Sequence, residues 1–393
     1  MLEPVQPVER AAEEAETPLW ELAGLFLKLG AMSFGGPAAH VAMMEDEVVR
    51  RRGWLTHAEF LDLLGVTNLI PGPNSTEMAI HIGWRRAGWR GLLVAGACFI
   101  LPAVVAVLVL AWAYVRFGAR PEAAALLRGI KPVVIAIVLQ ALWRLGRAAT
   151  KTWGLAALAV VGAALNLAGF NELLILFGTG AVRAAGRSAT SWRGGGGGAP
   201  PVAPLVPLAV APAAMLGAAA VPFGLWPLFG FFLKVGAVLF GSGYVLLAFL
   251  RADLVTRWGW LTEAQLMDAI AIGQVTPGPL SSTATFIGYV LGGPAGAAAA
   301  TVGIFLPAFV FVAISGPITP HIRRSPTAGA FLDGVNVASL ALMAVVSWEL
   351  GRSAIVDPPT LALAVASLFC LIRFRTNSAW LILAGALFGL AFR

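Results

Sequence analysis

The stretch NLIPGPNSTEMAIHIG, residues 68–83, sets Pro-Gly-Pro inside a run that otherwise reads as helix, and GQVTPGPLSSTATFIG, residues 273–288, does so again. Proline fixes φ, lacks a backbone donor and pushes the preceding residue toward extended geometry. Pro71, Gly72 and Pro73 therefore stop one helix after Ile70 and open another near Asn74, where proline is well placed to start a helix. Pro277, Gly278 and Pro279 break the second copy in the same way. The first-turn N–H groups of each new helix have no carbonyl partners and carry partial positive charge. With Asn74, Ser75 and Thr76 in one copy, and Ser281, Ser282 and Thr283 in the other, they form a site suited to an oxyanion.

Aligning the two breaks aligns the rest of the chain. FLKLGAMSFGG at 26–36 meets FLKVGAVLFGS at 232–242, RGWLT at 52–56 meets WGWLT at 258–262, and Asp62 meets Asp268, all at an offset of 206. From Gly83 and Gly288 the offset is 205, and it holds through FILP at 99–102 against IFLP at 304–307, Gly129 against Gly334, and WRLGR at 143–147 against WELGR at 348–352. Chance does not hold a register that long. The chain is read as a polar N-terminus over 1–17, a repeat over 18–186, a Gly/Pro-rich linker with a connecting apolar run over 187–222, and a second repeat over 223–393.

Of 393 residues, 59% are hydrophobic and 12% charged, against roughly 25% charged in soluble domains. Apolar runs at 91–114, 126–143, 153–168, 202–222, 295–315 and 335–348 approach the ~20 residues that a spanning helix needs. They are continuous rather than alternating, so an α-helical bundle is expected, not a barrel. The fold class is an all-α polytopic membrane protein built from two multi-helix repeats. The net charge of +7 comes from Arg in short loops between apolar runs, a topology signal rather than a nucleic-acid surface. Cys98 and Cys370 lie in apolar segments with no ligand set, so no metal, disulfide or cofactor is expected. Residues 1–17 lack the pattern of a cleaved signal peptide.

Each repeat has six hydrophobic or amphipathic segments, and the first two are interrupted at SFGGP or FGSG and at PGP. These read as broken or re-entrant helices. An even number of crossings per repeat plus one between them inverts the second repeat. The loop charges agree: Arg85, Arg86 and Arg90 have no basic counterpart at 289–296, whereas loop 166–172 has no Lys or Arg opposite Arg373 and Arg375. Arg116 and Arg120 do not fit, and Arg50–Arg52 fit only if the preceding segment dips in and returns.

Around the SFGGP and FGSG breaks, Gly35 and Gly36, or Gly241 and Gly243, permit close backbone approach and left-handed dihedrals; Pro37 marks the break, and Ser33, Gly35, Gly36, Gly241 and Ser242 are anion-binding candidates. Lys28 and Lys234 precede those breaks at identical repeat positions, and an apolar-segment lysine costs about 2.5–3.5 kcal/mol at the bilayer centre unless it faces a cavity or a partner. Two such charges suit a dianion, although Lys28 near a segment start also reads as snorkelling to the headgroups. Glu77 and His81, one turn apart, share a helix face and are candidates for proton exchange. Asp62 and Asp268 are proton-coupling candidates too, or ordinary polar positions on amphipathic helices.

FLKLGAMSFGGPAAHVAMMEDEVVRRRGWLT, followed by NLIPGPNSTEMAIHIGWRRAGWRG and FILP, resembles the chromate ion transporter family. The second copy is similar to the C-terminal domain of its long-chain, two-domain members. The resemblance carries Lys28, Phe34, Gly35, Gly36, Pro37, Pro71, Gly72, Pro73 and Asn74 in the first half, and Lys234, Phe240, Gly241, Pro277, Gly278 and Pro279 in the second. It implies efflux of chromate across the bacterial inner membrane, driven by the proton motive force and conferring chromate resistance. Sulfate is the structural analogue of that substrate, and halves of opposed orientation are implied as well. The expected partners are the oxyanion, protons and the lipid bilayer, with a homodimer as a possible assembly. The second copy departs in FGSG for FGGP and in Leu280 for Asn74, so the halves are not equivalent. Other readings are a sulfate or other oxyanion transporter of the same build, and a membrane-embedded hydrolase using Ser242 or His40. A structural partner without transport is disfavoured, since idle segments gain nothing from unsatisfied backbone ends.

Overall fold

The computed structural model describes residues 17–33, 36–193, 221–240, 243–323, 325–374 and 376–392. The expectations placed on Phe34, Gly35, Gly241, Ser242, Arg375, the N-terminus before Thr17 and most of the 187–222 connection lie outside these residues. Among the described residues there are fourteen α-helices and no strand. The first set is α1 (Leu19–Met32), α2 (Pro37–Glu45) winding on as a π-turn over Asp46–Arg51, α3 (His57–Thr67), α4 (Asn74–Phe117), α5 (Pro121–Ala149), α6 (Trp153–Leu167) and α7 (Glu172–Arg193). The second is α8 (Leu225–Val238), α9 (Leu246–Phe249) running into a π-turn over Leu250–Arg257, α10 (Glu263–Val275), α11 (Thr283–Arg323), α12 (Pro326–Ala354), α13 (Pro358–Arg373) and α14 (Ser378–Ala391). Short 3-10 turns at Gly243–Val245 and Leu280–Ser282 open α9 and α11.

The duplication read in the sequence is a duplication of local structure. WLTHAE and WLTEAQ both fold as capping boxes, Thr56 with Glu59 and Thr262 with Gln265, which start α3 and α10. Both repeats carry a π-turn at the same place. Both long helices reverse, α4 at Ala87 and Gly88 (φ 53°) and α11 at Gly292 and Gly293 (φ 60°). Residues eight apart in a straight helix lie about 12 Å from each other, yet Gly83 packs against Gly91, and Gly288 against Gly296. Each long helix is therefore a tight hairpin of two arms, and only backbone without Cβ lets the arms close so near the turn.

The broken segments are hairpins as well. Glu59 at the start of α3 pairs with Arg85 at the end of the first arm of α4 at 2.7 Å, so the two helices flanking PGP leave and return to one level. Arg52 after the first π-turn pairs with Glu21 at the start of α1 at 2.5 Å, so α1 and α2 do the same around Ser33 and Gly36. Arg52 and Arg86 both lie over the Trp54 ring, at 5.0 and 5.5 Å. The triplet Arg50–Arg52 thereby joins the basic end that carries Arg85 and Arg86.

Equivalent helices of the two repeats pack antiparallel. Along α5 and α12, Gly146 faces Leu340 while its counterpart Gly351 faces Ile135. At α4 and α11, Leu92 near the start of one second arm clusters with Ala308 and Val312 far along the other. A two-fold axis across the helices produces this arrangement, which makes the repeats inverted. The last helices are exchanged: Gly385 and Gly389 of α14 clasp Gly129 of α5, and Gly180 of α7 clasps Gly334 of α12. Among the described residues, four helices are long and apolar enough to cross a membrane. Exposed Trp143, Trp153, Trp226, Trp348 and Trp380 belong at a lipid surface and its headgroup belts.

Candidate functional site

The tips of the four hairpins meet. Gly72 donates its amide to the carbonyl of Leu239 at 2.8 Å, and Gly278 donates to the carbonyl of Ser33 at 2.9 Å. Gly72 and Gly278 are repeat counterparts, and so are Leu239 and Ser33, so each PGP turn is tied to the other repeat's first break by the same bond. Both glycines have positive φ, 150° and 96°, a geometry that L side chains rarely adopt. A Cβ on Gly72 would collide with the Glu77 carboxyl.

The first arm of α4 starts at this junction. Asn74 Nδ2 donates to Asn68 Oδ1 at 2.7 Å, and the Asn68 amide donates to the Leu64 carbonyl at 2.9 Å, so the Asn74 side chain clasps its own turn. Thr76 and Glu77 amides reach the Pro73 carbonyl, which leaves the amides of Asn74 and Ser75 without an intrahelical acceptor. His40 Nε2 sits 3.1 Å from the Ser33 carbonyl and His40 Nδ1 sits 3.2 Å from Ser75 Oγ. A carbonyl only accepts, so Nε2 carries the proton and Ser75 donates to Nδ1. His40 thus couples the SFGGP tip to the PGP tip, and its counterpart Leu246 leaves Ser281 unbonded.

Around the junction, Thr76 Oγ1, Ser281 Oγ, Ser282 Oγ, Thr283 Oγ1 and both Glu77 oxygens are buried without a hydrogen-bond partner. All five residues are fully buried. Such groups normally find partners in a folded protein, and each unmet one costs about 1–3 kcal/mol. His81, one turn beyond Glu77, has Nε2 unpartnered as well. Hydroxyl donors at the two helix starts, with the free amides of Asn74 and Ser75 in the first, are groups of the kind that hold an anion.

The other residues fall elsewhere. Lys28 pairs with Glu47 at 2.7 Å, and its counterpart Lys234 pairs with Asp253, the counterpart of Glu47. Both ammonium charges are met by carboxylates on the π-turns, and neither lysine is directed at the tips in these contacts. Asp62 lies on the exposed side of α3. Asp268 is buried in α10, its Oδ1 2.8 Å from Lys131 Nζ and its Oδ2 accepting from Tyr114 at 2.8 Å. Tyr244, just after the second break, places its hydroxyl beside Gly36. The carboxylates Glu47 and Asp253 were readable from the shared offset of 206. Lys131 and Tyr114 were not, because their counterparts Asn336 and Thr319 break the pattern.

The family described as chromate transporter matches residues 20–184 and again 226–390. A chromate transport protein of Cupriavidus metallidurans is 33% identical over 98% of this chain and 97% of its own length. A probable chromate transport protein of Synechococcus elongatus is 31% identical over 89% of each chain. A chromate transport protein of Pseudomonas aeruginosa is 33% identical over 88% of this chain and 84% of its own. No solved structure matches. With the match spanning both inverted repeats and both pairs of hairpin tips, the chain is a multi-pass membrane protein that belongs to the chromate transporter family.

Proposed function

We propose that the protein exports chromate from the cytoplasm, with the oxyanion held where the four hairpin tips meet. One observation carries this reading: the fully buried, unpartnered hydroxyls of Thr76, Ser281, Ser282 and Thr283 at two opposed helix starts. Chromate is a tetrahedral dianion, and an inside-negative potential favours its outward movement by about 2.3 kcal/mol per charge per 100 mV. The chemical part of the proton motive force needs a side chain that binds and releases a proton. Glu77 suits that role, since a carboxyl with neither oxygen bonded is cheaper to bury neutral than charged. The Ser75–His40 contact does not favour the hydrolase reading, because the ring is 1% exposed and its second nitrogen is held by a carbonyl rather than a carboxylate.

Uptake of labelled chromate by inside-out vesicles tests the proposal. Saturable uptake that rises with an inside-positive potential, and falls when Ser281 and Thr283 are replaced by Ala and Val, is expected. Uptake indifferent to both the potential and the substitutions would overturn it. Competition by sulfate sets the substrate range: displacement of chromate at equal concentration would make the site a general oxyanion site.

A further inference from the structure

Three ionisable side chains from three helices and both repeats meet away from the tips. Lys131 on α5 and Tyr114 on the second arm of α4 converge on Asp268 of α10, each at 2.8 Å from a different carboxylate oxygen. Asp268 is 7% exposed and the Lys131 side chain 19% exposed. We propose that Lys131 Nζ and the Tyr114 hydroxyl form a second oxyanion subsite, on the exit side of the protein, which Asp268 occupies as a tethered stand-in for the anion. The proposal rests on the oxyanion-transport reading and adds a place the anion visits after the tips.

The chemistry of the donors supports it. One ammonium and one phenol each engage a separate oxygen of a single carboxylate, and an edge of a tetrahedral oxyanion offers two acceptor oxygens to the same pair. The position links it to the central site. The Tyr114 ring packs edge-on against Phe286 at 5.1 Å, and Phe286 lies one turn beyond Thr283 on the same arm. The face is defined by length: Tyr114 is 26 residues past Gly88, ~39 Å along the helix, so it lies across the membrane from the basic turn of Arg85 and Arg86.

The subsite exists in one repeat only. The counterparts of Asp268, Lys131 and Tyr114 are Asp62, Asn336 and Thr319, so the other half keeps the carboxylate and lacks the ammonium and the phenol. Packing follows the same asymmetry. Leu61 beside Asp62 is 49% exposed, whereas its counterpart Met267 beside Asp268 is 0% exposed. A carboxylate held by the fold competes with a passing anion as an intramolecular ligand does. The subsite therefore draws the anion outward and does not retain it, which is what conduction requires. Arrival exchanges one ion pair for another, and Asp268 carries its charge toward the exposed face.

Equilibrium dialysis of the full-length protein in lipid nanodiscs, with labelled chromate and labelled sulfate as probes, tests this. Asp268→Asn should tighten binding about tenfold over wild type, since it removes the competing charge and keeps the shape. Lys131→Gln added to that variant should cancel the gain. Equal or weaker binding by an Asp268→Asn protein that elutes and melts as a folded species would overturn the subsite and leave the central site standing. A wild type that binds neither anion would overturn both. Should Asp268→Asn not fold, sulfate titration of wild type should give a tyrosine difference spectrum that Tyr114→Phe abolishes. A spectrum that survives Tyr114→Phe, or none from a wild type that binds sulfate, would also sink the subsite.

Discussion

Gly72 gives its amide to Leu239 across the repeat boundary at 2.8 Å, and the same bond recurs, with the repeats exchanged, between Gly278 and Ser33 at 2.9 Å. Each bond fastens a turn that cannot satisfy its own backbone to a helix end with a carbonyl to spare. The proline pairs make the turn, and the glycine between them makes the contact. Gly72→Ala should therefore act twice. It forces a residue with Cβ to φ near 150° and drives that Cβ into the Glu77 carboxyl. A loss of about 1–3 kcal/mol from strain alone is expected, seen as a lower melting temperature. Gly278→Ala should cost at least as much, since its φ of 96° is equally strained and its Cβ meets the Cβ of Ala103 at 2.8 Å, which cannot swing aside as a carboxyl can. Equal stability of both variants with wild type would show that the junction is loose.

The buried hydroxyls give a prediction in which stability and binding move apart. A hydroxyl that holds the fold together loses stability when removed, by about 1 kcal/mol. Ser281, Ser282 and Thr283 have no partner to lose, so Ser281→Ala and Thr283→Val should leave the melting temperature unchanged or raise it. The same variants should weaken chromate binding several-fold. Ser75→Ala is the control, because its hydroxyl is spent on His40 and its removal should lower stability. Destabilisation by Thr283→Val would mean that the hydroxyl has a structural partner, and would take it out of the anion site.

Much of this architecture was legible because it is written twice. The offset of 206 that aligned FLKLGAMSFGG with FLKVGAVLFGS also aligns α1 with α8, the two π-turns and the two capping boxes. The condition that Arg50–Arg52 sit at a basic end only if the preceding segment returns is met by the Arg52–Glu21 pair. What the sequence could not supply was partnership between distant residues. Lys28 and Lys234 need a cavity or a partner, and the sequence does not say which, because the partner of each lies 19 residues on, across a break. Tyr114 meets Asp268 across 154 positions, and no periodicity reports such a pairing. The exchange of α7 and α14 between repeats was equally hidden, since Gly129 and Gly334 read only as small residues until Gly385 and Gly180 are seen against them.

Those clasps carry a prediction of their own. A Cβ at Gly129 would strike the backbone of α14 at Gly385, and one at Gly334 would lie 2.7 Å from the Thr179 carbonyl on α7. Helices in lipid gain little from apolar burial and depend on close backbone approach. Gly129→Leu and Gly334→Leu should each separate an exchanged helix from the opposite repeat, and lower thermal stability by several degrees. Protease accessibility of the α13–α14 loop should rise in the first variant alone. Unchanged melting of both would show that the exchanged helices contribute nothing to holding the halves together.

The paired lysines can be tested by removing their charges singly and as a pair. Removing one member of a buried pair leaves the other uncompensated and costs about 3–5 kcal/mol, less where solvent reaches the pair. Lys234 and Asp253 are the more enclosed, at 25% and 4% side-chain exposure against 52% and 11% for Lys28 and Glu47. Asp253 keeps the Arg257 guanidinium at 2.5 Å, and Glu47 keeps Arg51 and Arg52 at 3.7 and 3.6 Å, so Lys234→Ala and Lys28→Ala should each cost less than the loss of an isolated pair. The double variant, Lys28→Gln with Glu47→Gln, separates the two roles a lysine there can play, whereas a lysine at residue 47 would face Arg51 and Arg52 at 3.7 and 3.6 Å. If the pair only ties α1 to its π-turn, removing both charges restores both melting temperature and chromate uptake relative to Lys28→Ala. If the ammonium at residue 28 itself meets the anion, stability returns and uptake does not. The existing 2.7 Å contact with Glu47 favours the first outcome, and vesicle uptake beside a melting curve of the double variant decides between them.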